Sequence, residues 1–200
     1  MKVSIIIPAY NESATIGKVL DDVKSNIQEL LQFEIIVIDD GSTDATAQIA
    51  RQAGVKVISN PVNMGYGFSL KRGIGEAQYE YLITMDADGT YPADQIVKLV
   101  QKLDQGFDMV VGARKGRAYW SSFTKVVFRL IFKLMAEFVV GRRIPDINSG
   151  FRAIRKSKIL PILPDLSKGF SFSTSVTLIF FLKGYFIDYL AVDYFKRAGR

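Results

Sequence analysis

"EIIVIDDGSTDATAQIARQAG", residues 34–54, sets the reading of the whole chain. EIIVI (34–38) is a β-rich apolar run that stops at two acids, Asp39 and Asp40, followed by Gly41. Its apolar residues are continuous and not alternating, as expected of a strand covered on both faces. Ser42, Thr43 and Asp44 are good capping residues, and the segment after Thr43 has a short helical pattern that Gly54 stops. A strand, a polar turn and a helix in that order form the building unit of an α/β fold.

The same unit recurs on either side. VSIII (3–7), VKVI (55–58), YLITM (81–85) and DMVV (108–111) read as further buried strands. Ile16, Val19, Leu20, Val23, Ile27, Leu30 and Leu31 follow the period of about 3.6 residues of an amphipathic helix. Pro92 suits the first turn of another helix, which Gly106 ends. The alternation predicts a mainly parallel central sheet flanked by helices, with ligands bound beyond the carboxyl ends of its strands. The polar clusters fall at those ends: PAYNE, DDGSTD, DADGTYP and GARKGR follow the first, second, fourth and fifth strands.

Composition narrows the chemistry. The 200 residues suit a single domain with a sizeable core, and 48% hydrophobic content with 23% charge argues for a folded chain. Cysteine and histidine are both absent. Disulfides, thiolate metal sites and imidazole catalysis are therefore excluded, and any metal must be a hard cation held by oxygen. A net charge of +6, from 26 basic and 20 acidic residues, points to an anionic partner. The basic residues are dispersed and no nucleic-acid motif occurs, so nucleic acid is not expected as that partner. MKVSIIIPAYNE turns polar too soon for a signal peptide, and no stretch reaches about 18 uncharged apolar residues, so no bilayer span is expected.

Asp86 and Asp88 lie one residue apart in DADGTYP. Alternate residues of an extended segment project to one side, where two carboxylates repel unless a divalent cation sits between them and a phosphate group. Mg²⁺ and Mn²⁺ suit such oxygen ligands, whereas a plain polar turn would need one Asp at most. Asp39 can accept hydrogen bonds from a nucleotide or serve the turn before the next helix. NMGYGFSLKRGIG (63–75) fits neither standard phosphate-loop pattern. It reads equally as a close backbone approach to a ligand, with Lys71 as a point charge, or as an ordinary turn into a helix.

IIIPAYNE, IVIDDGSTDAT, NMGYGFSLKRG, DADGTYP and DINSGFRAIRK occur here in the order and spacing of the family 2 glycosyltransferases, so the chain resembles that family over essentially all its residues. It looks most like the dolichyl- or polyprenyl-phosphate branch, the dolichol-phosphate mannosyltransferase-like enzymes. The resemblance implies the Rossmann-like GT-A nucleotide-sugar-binding fold. It also implies hexosyl transfer, with inversion, from a UDP- or GDP-sugar to a polyprenyl or dolichyl phosphate at a membrane surface. Pro8, Ala9, Tyr10, Glu12, Asp39, Lys71, Asp86, Ala87 and Asp88 would bind the nucleotide sugar, and Asp86 and Asp88 would hold Mg²⁺ or Mn²⁺. Asp88, Arg114 and Arg152 would be catalytic, and Arg114, Arg117, Arg129 and Arg197 would meet the acceptor phosphate. A phosphate acceptor, largely ionised with a second pKa of about 6, needs no general base. A glycan hydroxyl acceptor, the alternative within the family, would need one, with Asp146 as the candidate. A non-catalytic nucleotide-sugar or lipid-phosphate binding domain is the rival from another class.

Two departures from the family pattern are visible. Thr90 stands where relatives often carry Gln, and GFSFSTSVTL offers only hydroxyls where they commonly carry an acid. The expected organisation is one domain, with a nucleotide-binding half (1–112) and an acceptor and membrane-interface half (113–200). Because relatives usually continue beyond YFKRAGR, a chain truncated before membrane helices is expected, lying at the cytoplasmic face of a membrane. A homo-oligomer or a separate membrane-protein partner is compatible with this. In residues 119–140, Lys125, Arg129, Lys133 and Glu137 form one polar stripe amid Trp120, Phe123, Val127, Leu130, Ile131, Leu134 and Phe138. A helix packed on the sheet is one reading, but the wide apolar arc, the mostly cationic stripe and the implied lipid acceptor favour a helix lying in the membrane interface.

Overall fold

The apolar runs do become strands. The computed structural model describes residues 1–27, 32–115 and 134–197. In it β1 (Lys2–Ala9), β2 (Gln32–Asp39), β3 (Lys56–Ser59) and β4 (Tyr81–Thr84) pair in parallel in the order β3-β2-β1-β4. β5 (Met109–Lys115), β6 (Arg152–Arg155) and β7 (Ile187–Asp193) extend the same sheet in the order β4-β6-β5-β7. β6 runs against both its neighbours, while β5 and β7 are parallel. The mainly parallel sheet of the sequence reading is present, and the reversed strand is the addition to it.

Both faces are covered, which is why the strands are apolar throughout. On one face Val3, Ile5 and Ile7 pack with Ile16, Leu20 and Val23 of α1 (Ile16–Ile27), Ala50 of α2 (Thr46–Gln52), and Leu99 and Leu103 of α4 (Ile96–Asp104). On the other, Ile6, Ile36 and Ile38 meet Leu70 and Ile74 of α3 (Tyr66–Glu76) and Phe172, Val176 and Phe180 of α7 (Phe172–Leu182). The amphipathic period of the first helix holds from Ile16 to Ile27, all five of whose apolar positions are buried; Leu30 and Leu31 lie outside the described residues. Helical residues 134–140 (α5) and a short helix at Lys156–Ile159 (α6) complete the set used below.

The topology places the site. From β1 the chain winds outward to β2 and β3, then returns to β4 on the other side of β1. Such a reversal opens a crevice at the carboxyl ends of the two central strands. Because β6 is antiparallel, its beginning lies at that same edge, with Arg152 opposite Thr84. The reversed strand therefore carries NSGFR from the second half of the sequence to the end of the fourth strand.

Candidate active site

A cavity of about 750 Å³ occupies the crevice. The β1 turn lines it with Pro8, Ala9, Tyr10, Asn11 and Glu12, the β4 turn with Asp86, Ala87 and Asp88, and the start of α3 with Gly65 and Tyr66. Asn148 and Gly150 come from the loop before β6, Phe170 and Ser173 from around the start of α7, and Arg197 from beyond β7.

The β1 turn is held by the β2 turn. Asn11, which adopts φ 54°, accepts hydrogen bonds at Oδ1 from Thr43 N (2.9 Å) and Oγ1 (3.3 Å), and its own N donates to Ser42 Oγ (3.0 Å). Glu12 N donates to Thr46 Oγ1 (2.8 Å), and Ser13 N to Asp44 Oδ2 (3.1 Å). Asp44 also accepts from Thr46 N (2.9 Å) and Oγ1 (2.5 Å). Partial burial raises its pKa, but the bonds from Thr46 and Ser13 outweigh this and bring it down to about 2. DGSTDAT is thus a clamp for PAYNES, a role beyond the helix capping read from the sequence.

The second acid of DD has a structural task as well. Asp40 accepts from Asn60 Nδ2 (2.7 Å), Met64 N (3.0 Å) and Gly65 N (2.9 Å), fixing the loop that leads into α3. Asp39 is 4% exposed and accepts Ser42 N at 3.1 Å; Asp40 lines the cavity and Asp39 does not. Lys71 is likewise outside the lining, its Nζ donating to the Pro164 carbonyl at 3.1 Å.

Asp86 and Asp88 do meet at the cavity. Tyr66 OH donates to Asp86 Oδ1 at 2.9 Å. Burial and the charge of Asp88 push the Asp86 pKa up to about 6, against the lowering effect of Tyr66 and Arg114. Asp88 accepts at Oδ1 from Thr90 N (3.1 Å) and Oγ1 (2.7 Å), while its Oδ2 lies 3.9 Å from Arg197 Nε. Arg197 also bonds Glu12 Oε1 through Nη2. Glycine is required at 150, beside Asp86 and Tyr66: an added Cβ would sit 2.7 Å from Asp86 Oδ1 and 2.6 Å from Tyr66 OH. Tyr91 OH, accepting Gly150 N at 3.0 Å, and Thr84 Oγ1, donating to Gly150 O at 2.7 Å, hold that glycine in place.

Two arginines depart from the sequence reading. Arg152 is 1% exposed and spends its guanidinium on Ser149 O (2.7 Å), Ile147 O (2.9 Å) and Thr177 Oγ1 (2.8 Å). It shapes the loop before β6 from inside the protein and does not reach the cavity, so a direct catalytic contact is corrected to a structural one. Arg114 makes a two-pronged pair with Asp146, Nε–Oδ2 2.7 Å and Nη2–Oδ1 2.9 Å, and lies over the Tyr194 ring at 5.3 Å. Asp146, 3% exposed and also accepting Asn148 N (3.1 Å), is held as a loop anchor and not as a base facing the cavity. Arg117 and Arg129 lie outside the described residues, as do Lys125 and Lys133.

Tyr66, Tyr91, Asn148 and Phe170 were not singled out from the sequence. Phe170 is 91% exposed at the rim and stacks on Tyr66, with ring centroids 6.3 Å apart and planes at 11°. Its loop sits against the start of α3, where Phe68 N donates to Lys168 O at 2.9 Å and a Cβ on Gly67 would lie 2.5 Å from Ser167 O. GF in GFSFSTS was the available signal, a large apolar residue in a hydroxyl-rich loop.

Residues 4–161 match the family model described as glycosyl transferase family 2. An undecaprenyl-phosphate 4-deoxy-4-formamido-L-arabinose transferase of Photorhabdus laumondii is 33% identical over 162 residues, covering 78% of this chain and 49% of its own. A dolichyl-phosphate hexose transferase of Haloferax volcanii is 28% identical over 198 residues, covering 98% of this chain and 84% of its own. The chain spans about half the length of the first of these relatives. Among solved structures, glucosyl-3-phosphoglycerate synthase from Mycobacterium tuberculosis with phosphoglyceric acid superposes with a TM-score of 0.78 at 24% identity, covering 100% of this chain and 72% of that one. The same enzyme with Mn²⁺, UDP-glucose and phosphoglyceric acid gives 0.77 at 23% identity, with the same coverage. The GT-A fold expected from the sequence is thereby shown, and with the family model spanning most of the chain, this protein belongs to glycosyl transferase family 2.

Proposed function

We propose that this protein transfers a sugar, with inversion, from a nucleotide-diphosphate sugar to a polyprenyl or dolichyl phosphate at a membrane surface. The observation that carries the reading is the pair Asp86 and Asp88 at the head of a cavity formed where the sheet reverses. Relatives from two organisms are named for undecaprenyl-phosphate and dolichyl-phosphate transfer, which supports the acceptor class.

The residues present fit a divalent cation. Burial and the neighbouring charge of Asp88 both disfavour the Asp86 carboxylate, raising its pKa to about 6, and Gly150 leaves space beside Asp86. Among the described residues no group of three or more acidic side chains gathers, so diphosphate oxygens would complete the coordination. Asp86 and Asp88 would hold Mg²⁺ or Mn²⁺; the solved neighbour bound to Mn²⁺ with UDP-glucose makes Mn²⁺ the natural first test. Such an ion supplies charge neutralisation on the departing diphosphate.

The chain's own residues do the remainder. The β1 turn, from Pro8 to Glu12, would form the nucleotide wall, with Asp39 paired beside Ala9 in the neighbouring strand. Arg197 brings a cation to the same space, where it would meet the diphosphate or the acceptor phosphate. The acceptor phosphate attacks the anomeric carbon as an anion, so no base is required. Asp146, the only base considered for a hydroxyl acceptor, is committed to Arg114, which favours the phosphate reading.

The exposed side of α5 fits a lipid surface. Leu134, Met135, Phe138 and Val139 are between 55% and 89% exposed, and Arg142 and Arg143 follow at the helix end. Glu137, read from the sequence as part of the polar stripe, instead accepts Ile144 N at 2.7 Å. An apolar face bordered by cations suits the headgroup boundary of an anionic leaflet. No helix among the described residues is long and apolar enough to cross a membrane.

Titration calorimetry with UDP and GDP, with and without Mn²⁺, tests the donor side. Binding that strengthens strongly with the ion is expected; equal affinity in its absence would overturn the reading. Turnover of radiolabelled nucleotide sugars on short-chain polyprenyl phosphates then identifies the sugar and the acceptor.

A further inference from the structure

Thr90 follows Gly89 at the end of the β4 turn, is 1% exposed, and gives both its donors to one oxygen, Asp88 Oδ1, at 3.1 Å from N and 2.7 Å from Oγ1. Its carbonyl accepts Phe195 N at 3.0 Å, tying the turn to the segment that follows β7. From that segment Arg197 faces Asp88 Oδ2 at 3.9 Å. The two oxygens of Asp88 thus differ in kind. Oδ1 is occupied by fixed donors from the neighbouring backbone and a buried hydroxyl, whereas Oδ2 faces Arg197, a side-chain cation that lines the cavity together with Asp88.

We propose that Thr90 is a positioning residue for Asp88, fixing the carboxylate so that Oδ2 alone is presented to a divalent ion on the donor diphosphate. This rests on the metal-dependent glycosyl-transfer reading above. Two hydrogen bonds to one oxygen leave the carboxylate plane little freedom, so the other oxygen points in one direction before any ligand arrives. Thr90 itself adds no ligand, because the residue is buried and does not line the cavity. Groups that orient a metal-bound carboxylate in this way matter nearly as much as the ligands themselves.

The test uses Mn²⁺ as the probe, with its affinity read by electron paramagnetic resonance of the free ion in the presence of UDP or GDP. Thr90→Val keeps the shape and removes the hydroxyl, and should weaken Mn²⁺ binding about ten- to a hundredfold. Thr90→Ser keeps the hydroxyl and should stay close to wild type, with metal-free nucleotide binding unchanged in both. A purely structural Thr90 would show the opposite order, since Ser loses the methyl group that Val retains. Wild-type Mn²⁺ affinity in Thr90→Val overturns the proposal. If Thr90→Val does not fold, the difference between Thr90→Ala and Thr90→Ser isolates the hydroxyl, and equal Mn²⁺ affinity in those two overturns it likewise. A wild-type protein whose nucleotide binding ignores Mn²⁺ overturns the functional reading first and this inference with it, before any variant is made.

Discussion

Arg152 and Asp88 are both charged, both close to the cavity, and opposite in what surrounds them. Asp88 lines the cavity, whereas Arg152 has its guanidinium enclosed among Ser149 O, Ile147 O and Thr177 Oγ1. Lysine at 152 would keep the charge but reach fewer of these partners, leaving buried carbonyls unpaired. Arg152→Lys should therefore lower the unfolding free energy by roughly 2–4 kcal/mol in denaturant titration. Nucleotide affinity of the folded fraction should hardly change. A stable variant with lost nucleotide binding would restore Arg152 to the cavity. The sequence could bring Asp86 and Asp88 to one cavity because they stand one residue apart at the end of a strand. It could not separate Arg152 from a phosphate ligand, because SGFR is as basic inside a protein as at its surface.

Among the elements, the β1 and β2 turns act as one unit through Asn11, Asp44 and Thr46. Asp44 sets the pH behaviour of that unit. Its pKa stands at about 2 in the folded protein against an ordinary 3.8, so the folded state binds the proton less readily than the unfolded chain. The stability it contributes is present above pH 3.8 and is lost as pH falls towards 2. Asp44→Asn should lower thermal stability near neutrality and flatten the acid side of the profile across that window, so that variant and wild type converge as pH falls towards 2. An unaltered acid limb would show that the clamp carries no such linkage. β1, β2 and β4 were legible because each is a continuous apolar run. β6 and β7 were not: RAIR is four residues with an arginine at each end, and IDYLAVD mixes acids with apolar residues. Both depend on partners distant in sequence, and a local pattern holds no trace of them.

At the scale of the molecule, the cavity opens at one edge of the sheet while α5 exposes an apolar face bordered by arginine. If that face meets lipid, Met135→Asp with Phe138→Asp should weaken co-sedimentation with anionic liposomes about tenfold or more, since two large apolar side chains no longer reach the acyl region. UDP or GDP binding should stay as in wild type. Unchanged pelleting would assign the face to some other contact. Lys125 and Arg129, the cations first read as the membrane stripe, remain to be tested the same way by charge reversal.

The reversed strand also imposes an order in time. β4 ends at Thr84, yet its neighbour on one side begins only at Arg152, and the outermost β7 ends at Asp193. As the chain leaves the ribosome, at about 5–20 residues per second, β1 to β4 can pair among themselves while the far edge of β4 waits uncovered for several seconds. The first half is therefore born with an adhesive edge, and only the late arrival of RAIR removes it.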